Sequence, residues 1–114
     1  RDRVVGRRPT AAEAQDVSRE LRLTPAAARD VIAAYDHYEG QLPGLGEQFR
    51  AELNVAFALL QQFSETGPAV HRDLRRLLVR RFPYALYYRV TETALVIRGC
   101  LHLHSDPRRR RRRA

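Results

Sequence analysis

The stretch Arg80-Arg81-Phe82-Pro83-Tyr84-Ala85-Leu86-Tyr87-Tyr88-Arg89-Val90 carries the strongest indication of the fold in this sequence. Proline cannot donate a backbone hydrogen bond, so one strand should end near Pro83 and the next should begin at Tyr84. Successive side chains of a strand point to opposite faces of its sheet. The first face is therefore predicted to hold Tyr84, Leu86, Tyr88 and Val90, and the second to hold Ala85, Tyr87 and Arg89.

Strands are also predicted on both sides of this stretch. After Thr66-Gly67-Pro68 the apolar period changes from helical to two, which indicates a strand through Leu74 and Val79. Residues 94 to 104 alternate again and form the last predicted strand. This alternation assigns Leu95, Ile97, Gly99, Leu101 and Leu103 to one face, and Val96, Arg98, Cys100, His102 and His104 to the other.

The chain before this sheet segment predicts one strand and two helices. Residues 20 to 24 alternate polar and apolar side chains, as in a half-buried strand. Thr24-Pro25 is a helix-start signal, and Gly40 is a plausible helix end. Apolar residues then recur every three or four positions: Ala28, Val31, Ile32, Tyr35 and Tyr38 in the first helix, and Phe49, Leu53, Ala56, Phe57, Leu60 and Phe63 in the second.

The predicted fold class is α+β. An N-terminal strand precedes a two-helix hairpin, which packs on a mainly antiparallel sheet with three C-terminal strands. We expect residues 1–19 to be an accessory or disordered extension and residues 20–107 to form the folded domain. Residues 108–114 form an arginine-rich tail, in which adjacent like charges favour disorder.

Length and composition limit the class of protein. A chain of 114 residues with 44% hydrophobic residues suffices for one compact domain. It contains no run of about 18 apolar residues that could span a membrane. Cys100 is the only cysteine, which excludes an internal disulfide. We therefore expect a cytoplasmic protein without membrane association.

The formal charge of +8 is concentrated in the C-terminal half. Residues 1–66 contain 8 arginines and 10 acidic residues, whereas residues 67–107 contain 7 arginines and 3 acidic residues. Residues 108–113 add six further arginines. This half should attract a polyanion or an acidic partner.

Four motifs in order resemble the RelE/ParE superfamily of type II toxin–antitoxin toxins, over about residues 20 to 107. They are Tyr35-x-x-Tyr38-Glu39, Pro43-Gly44-Leu45-Gly46-x-x-Phe49, the Arg-Arg-Phe-Pro-Tyr strand pair, and Leu101-His102-x-x-x-Asp106-Pro107. The resemblance implies a growth-inhibiting toxin that a cognate antitoxin neutralises in a hetero-oligomer. In this superfamily, ParE-like toxins act on DNA gyrase, whereas RelE-like toxins act on ribosome-bound mRNA.

Particular residues distinguish an mRNA-cleaving toxin from a gyrase poison. An RNA-cleaving site needs cations at the scissile phosphate and a proton-transferring group, for which the candidates are Arg89, Arg98, His102 and His104. Contacts to a nucleic acid or another target are predicted for Arg75, Arg76, Arg80, Arg81 and Tyr87. RelE-like nucleases usually carry an arginine where this chain has Ala85, and the ending through Leu101-His102 resembles ParE. We therefore favour the gyrase poison, with the RelE-like endoribonuclease as the alternative.

Two further interpretations follow from the C-terminal residues. Cys100, His102 and His104 alternate on the last predicted strand and have the donor atoms that zinc prefers. Same-face residues lie roughly 6.6 to 6.8 Å apart along a strand, which suits a single ion poorly. We therefore predict no metal site and no cofactor. The arginine tail could also bind nucleic acid without sequence preference.

Overall fold

The computed structural model describes residues 19–114, and the predicted extension therefore lies almost entirely outside the described residues. Within residues 19–114, five strands and three helices follow one another in an α+β arrangement. Their order is β1 Glu20–Leu23, α1 Pro25–Gln41, α2 Leu45–Gln62, β2 Ala69–His71, β3 Leu74–Leu78, β4 Tyr84–Val90, β5 Ala94–His102 and α3 Pro107–Arg112.

The strands form one sheet in the order β1-β5-β4-β3-β2. Only the pair β1 and β5 is parallel, so the prediction of a mainly antiparallel sheet with an N-terminal strand is confirmed. The three-residue strand β2 was not predicted. It pairs with β3 through a tight turn in which Arg72 has a positive φ of 55°. A strand of three residues is too short for its side-chain alternation to be recognised in the sequence.

The helix hairpin begins where the sequence predicts. Thr24 Oγ1 accepts a hydrogen bond from the Ala27 N–H at 3.1 Å, and proline occupies the first turn. The predicted helix end at Gly40 is wrong by one residue, because α1 continues to Gln41. The chain instead turns at Gly44, where φ is 92°, and the Glu39 carboxylate accepts the N–H groups of Gly44 and Gly46 at 2.9 Å each.

Each helix buries a narrower face than predicted. On α1 the buried residues are Ala27, Ala34 and Tyr38, while Ile32 is 60% exposed. On α2 they include Phe49, Leu53, Ala56 and Leu60, while Phe63 is exposed just beyond the helix end. Of the face predicted for α1, only Tyr38 is buried, and the buried face is shifted toward Ala27 and Ala34.

The main core lies between the hairpin and the sheet. Phe82 from the opening stretch packs edge-on against Tyr38 and Phe49, with ring centroids 4.9 and 5.2 Å apart. Tyr84 contacts Phe49 at 5.3 Å. Beneath these rings lie further buried residues of the sheet: Leu86, Tyr88, Leu95, Ile97 and Cys100. Aromatic pairs of this geometry add about 1 kcal/mol each to the gain from burial.

A β-bulge in β5 changes the predicted faces of the last strand. Ile97 pairs with Tyr88, but Gly99 pairs with Tyr87, so β5 has one extra residue at this point. Beyond the bulge the alternation is inverted: Cys100 belongs to the core beneath the helices, and Leu101 to a separate cluster. The prediction that placed Cys100 and His102 on the same face as Val96 is therefore wrong.

In the structure the arginine tail lies against the domain as helix α3 and the residues after it, while the disorder predicted for residues 108–114 stays a prediction. Asp106 caps α3 by accepting the Arg108 N–H at 2.9 Å. Arg113 donates to the carboxylate of Asp30 on α1 at 2.6 and 3.2 Å, and Ala114 packs on the Leu101 cluster. Two acidic residues, one at each end of the run, thus offset the repulsion among its arginines.

Candidate functional site

The sheet face opposite the helix hairpin, here called the outer face, has a small core of its own. Leu74, Ala85, Tyr87 and Leu101 are buried together on it. Tyr87, predicted as a target-binding residue, is only 5% exposed, and its ring is therefore not available as a stacking surface. The middle of the outer face is therefore a packed, apolar area.

Arginines border this area. Arg76 pairs in register with Tyr87, which places it on the outer face of β3, and Arg89 lies two residues beyond Tyr87 on β4. The Arg89 Nε lies 3.0 Å from Asp73 Oδ1, while its side chain stays about one-third exposed. These two candidates therefore share one face as diagonal neighbours of adjacent strands.

Three further arginines were predicted to contact the target, and two of them, Arg75 and Arg81, form hydrogen bonds within the protein. Arg75 points to the helix side, where its Nη1 donates to the carbonyls of Gly67 at 2.7 Å and Glu65 at 3.2 Å. Arg81, with a positive φ of 70°, binds Glu52 and Gln48 of α2 at 3.3 and 3.2 Å. Arg80 is exposed in the same turn. Target binding by these residues stays a prediction.

Arg98 occupies the bulge of β5, and its Nε donates to the Arg113 carbonyl at 2.6 Å. This bond ties the end of the tail to the sheet. Arg98 is therefore half-buried and positioned by the C-terminus.

The two histidines are neighbours, but they do not lie with Arg89. His102 pairs in register with Tyr84 on the helix side of the sheet, and the two rings meet edge-on at 5.2 Å. His104 follows the strand in a turn, where its backbone N–H donates to His102 Nδ1 at 3.0 Å. The structure does not bring the four proposed catalytic residues to one face, because the bulge turns His102 away from Arg89.

A cleft of about 410 Å³ opens beside His102, between α1 and the end of β5. We call it the α1–β5 cleft. Its polar lining residues are Asp30, His37, Tyr84, His102 and Arg109, and its remaining lining residues are Ala33, Ala34, Cys100 and Leu101. Only His102 among the polar residues was singled out from the sequence.

The missed residues had a signal in the sequence. Asp30 and His37 are seven positions apart on α1, which places them two turns apart on one helix face. Ala33 and Ala34 between them leave space above the sheet. Arg109 was hidden within a run of identical residues, so only the structure distinguishes it from its neighbours.

Burial determines the ionisation of two groups in this cleft. Burial, and to a smaller extent the charge of Asp30, raises the pKa of the Cys100 thiol to about 12. Burial also raises the pKa of the Tyr84 hydroxyl, followed in effect by its neighbour Tyr38. Both groups are therefore protonated at neutral pH, and Cys100 is a core residue rather than a nucleophile.

Two negative observations apply to residues 19–114. Their side chains contain no group of three or more His, Cys, Asp or Glu residues that could hold a metal ion. Within the same part of the chain, no helix has both the length and the apolar character that a bilayer span requires.

Comparisons with known proteins agree with this architecture. The family model described as ParE toxin of type II toxin–antitoxin system, parDE, matches residues 21–106. A structure of the chromosomal ParDE toxin–antitoxin system from P. aeruginosa matches with a TM-score of 0.66 and 26% identity, covering 75% of this chain and 96% of that chain. The toxin–antitoxin complex RelBE2 from Mycobacterium tuberculosis matches with a TM-score of 0.52 and 26% identity, covering 75% and 92%.

A search of curated proteins finds no match. The family match covers well over half of the chain, including the hairpin and all of the sheet except Glu20, and the predicted superfamily is confirmed. The chain therefore belongs to the ParE toxin family of type II toxin–antitoxin systems.

Proposed function

We propose that this toxin inhibits growth by acting on DNA gyrase, and that its outer face contacts the target. The carrying observation is Ala85, which is fully buried between neighbouring strands where RelE-like nucleases usually have an arginine. The outer face thus lacks at this position the cation that phosphate-bond cleavage would use. The ParE family match supports the same branch.

The placement of the remaining candidates supports this proposal. General acid–base chemistry needs the proton-transferring group and the cation at one reacting phosphate. His102 lies on the helix side and Arg89 on the opposite side of the same sheet. In contrast, Arg76 and Arg89 form a half-buried basic border beside an apolar centre, a combination that suits binding to a protein surface.

Supercoiling and translation assays test the target. Purified toxin should inhibit supercoiling by purified gyrase, and the double variant Arg76→Ala/Arg89→Ala should need about tenfold more protein for the same inhibition. Arg50→Ala is the control, because Arg50 is an exposed arginine on α2, away from the outer face. The opposite result would be ribosome-dependent mRNA cleavage that is abolished in Arg89→Ala or His102→Ala, together with unaffected gyrase. In that case the target would be mRNA and not gyrase.

We further propose that the cognate antitoxin docks on an exposed apolar stripe of α2 and forms a hetero-oligomer with the toxin. Val55, Leu59 and Phe63 recur every four residues and are 58%, 40% and 57% exposed. Spacing of this kind places them along one side of the helix. A contiguous apolar stripe on a small protein is typical of a partner site, and an amphipathic antitoxin segment would cover it.

Co-expression with the antitoxin tests this surface. Leu59→Glu should abolish co-purification with a tagged antitoxin while leaving the circular dichroism spectrum unchanged, because a charge would then be buried in the interface. Asn54→Glu is the control, since Asn54 is exposed on α2 outside the stripe. Unchanged co-purification of Leu59→Glu would place the antitoxin elsewhere.

A further inference from the structure

The α1–β5 cleft contains hydrogen-bond donors whose orientation is set by the surrounding structure. His102 Nδ1 accepts the His104 N–H, so the second ring nitrogen, Nε2, carries the proton in the neutral ring. His37 Nε2 lies 3.1 Å from the Gln41 amide nitrogen, which can only donate, and the His37 proton is therefore on Nδ1. Each histidine thus retains an N–H donor.

Two further donors line the cleft. The Tyr84 hydroxyl has no hydrogen-bond partner among the described residues, and its raised pKa keeps it protonated. Arg109 reaches over from α3 and remains about half exposed. The cleft therefore has four donor side chains on three elements, α1, the sheet and α3.

The only acidic side chain in the cleft is already neutralised. Asp30 accepts two bonds from Arg113 and one from the Cys100 N–H at 3.1 Å. The Arg109 guanidinium lies 3.8 Å from the same carboxylate. Two guanidinium groups thus face one carboxylate, and the local charge is positive. A set of donors with excess positive charge favours an anion over a cation or a neutral ligand.

We propose that the α1–β5 cleft binds a small phosphate ester of about mononucleotide size. Arg109 would pair with the phosphate, and His102 and Tyr84 would donate hydrogen bonds to it. The volume of about 410 Å³ lies in the range of small-ligand sites, and Ala33 and Ala34 give it an apolar wall for the rest of the ligand. This site is independent of the gyrase and antitoxin surfaces proposed above. Arg109 also lies outside the part of the chain that the ParE family model matches.

Calorimetric titration of the full chain tests the proposal with inorganic phosphate, adenosine 5′-monophosphate and adenosine as probes. We expect the monophosphate to bind more tightly than inorganic phosphate, and adenosine not to bind. Arg109→Ala and His102→Ala should each weaken binding of the monophosphate by about tenfold. Arg111→Ala is the matched control, because Arg111 is exposed on the same helix outside the cleft. It should change binding by less than about twofold.

Three results would overturn the proposal. One is the absence of binding at about 10 mM monophosphate, where even a dissociation constant of about 1 mM would be detected. The second is an equal loss in Arg109→Ala and Arg111→Ala, which would mean unspecific attraction to the arginine run. The third is unaltered binding in both cleft variants. Circular dichroism of each variant checks its folding, and the titration contains no gyrase, so its outcome does not depend on the proposed target.

Discussion

The two faces of the sheet are built from the same strands but differ in depth and charge. The helix side carries the large core with Tyr38, Phe49 and Phe82, covered by two helices. The outer face buries only four residues in its centre and is bordered by arginines. Because its buried core is larger, the helix side should contribute most of the free energy of folding. The outer face contributes less, and its small core holds the bordering arginines in position.

Truncation of the main core should have the largest effect on stability. Phe49→Ala should lower the free energy of unfolding by about 4 kcal/mol, because it removes a fully buried ring that contacts Tyr38, Phe82 and Tyr84. Urea denaturation followed by circular dichroism measures the loss. Leu78→Ala, at an exposed position on the outer face, should cost less than about 1 kcal/mol. Similar losses for both variants would contradict the contrast between the faces.

Adjacent tyrosines compare the faces directly. The Tyr88 hydroxyl accepts the buried Gly67 N–H at 2.9 Å on the helix side, and Tyr88→Phe would leave that donor without a partner. We expect a loss of about 1 to 2 kcal/mol in the free energy of unfolding. Tyr87 has no such bond among the described residues, so Tyr87→Phe should cost less than about 0.5 kcal/mol. A larger loss of stability in Tyr87→Phe than in Tyr88→Phe would show that the outer cluster is the more stable of the two.

The buried thiol should make the helix side sensitive to alkaline pH. The pKa of Cys100 is raised from 9.0 to about 12 in the folded protein, so the unfolded chain loses its thiol proton first as pH rises. The native state then binds more protons, and stability falls between pH 9 and 12. At about pH 10 the loss attributable to Cys100 is roughly 1 kcal/mol.

Denaturation at several pH values checks this effect against Cys100→Ala. Neighbouring Tyr38 and Tyr84 also have pKa values raised chiefly by burial, and this burial effect remains in the variant. The wild type should therefore lose stability more steeply above pH 9 than Cys100→Ala does. Parallel curves would mean that the thiol is solvated in the native state.

The smallest effect on stability is expected at the arginine border. Arg76→Ala and Arg89→Ala should each change the free energy of unfolding by less than about 0.5 kcal/mol, because the Arg89–Asp73 pair lies at the surface, with the Asp73 side chain 74% exposed. Thermal denaturation measures this change in parallel with the gyrase assay. A loss above about 1.5 kcal/mol would show that these arginines stabilise the fold, and a decrease in gyrase inhibition could then not be assigned to target binding.

Local patterns in the sequence determined much of the fold. The alternation from Tyr84 to Val90, the cap at Thr24 and the period of the two helices each depend on residues within a few positions of one another. The sequence therefore predicts the class, the hairpin and the order along the chain of every strand except β2. The same alternation identified Arg89 and Tyr87 as neighbours on one face, although it could not show that Tyr87 is buried by Leu74 and Leu101.

The tertiary structure alone decided where His102 and the tail lie. The bulge in β5 depends on the register with β4, which the alternation of the last strand does not specify. The ion pair between Asp30 and Arg113 joins residues 83 positions apart, and neither helix pattern nor charge count indicates it. Side-chain periodicity is a property of one element, whereas register and long-range charge pairing depend on two elements, so the α1–β5 cleft emerged only once the chain was folded.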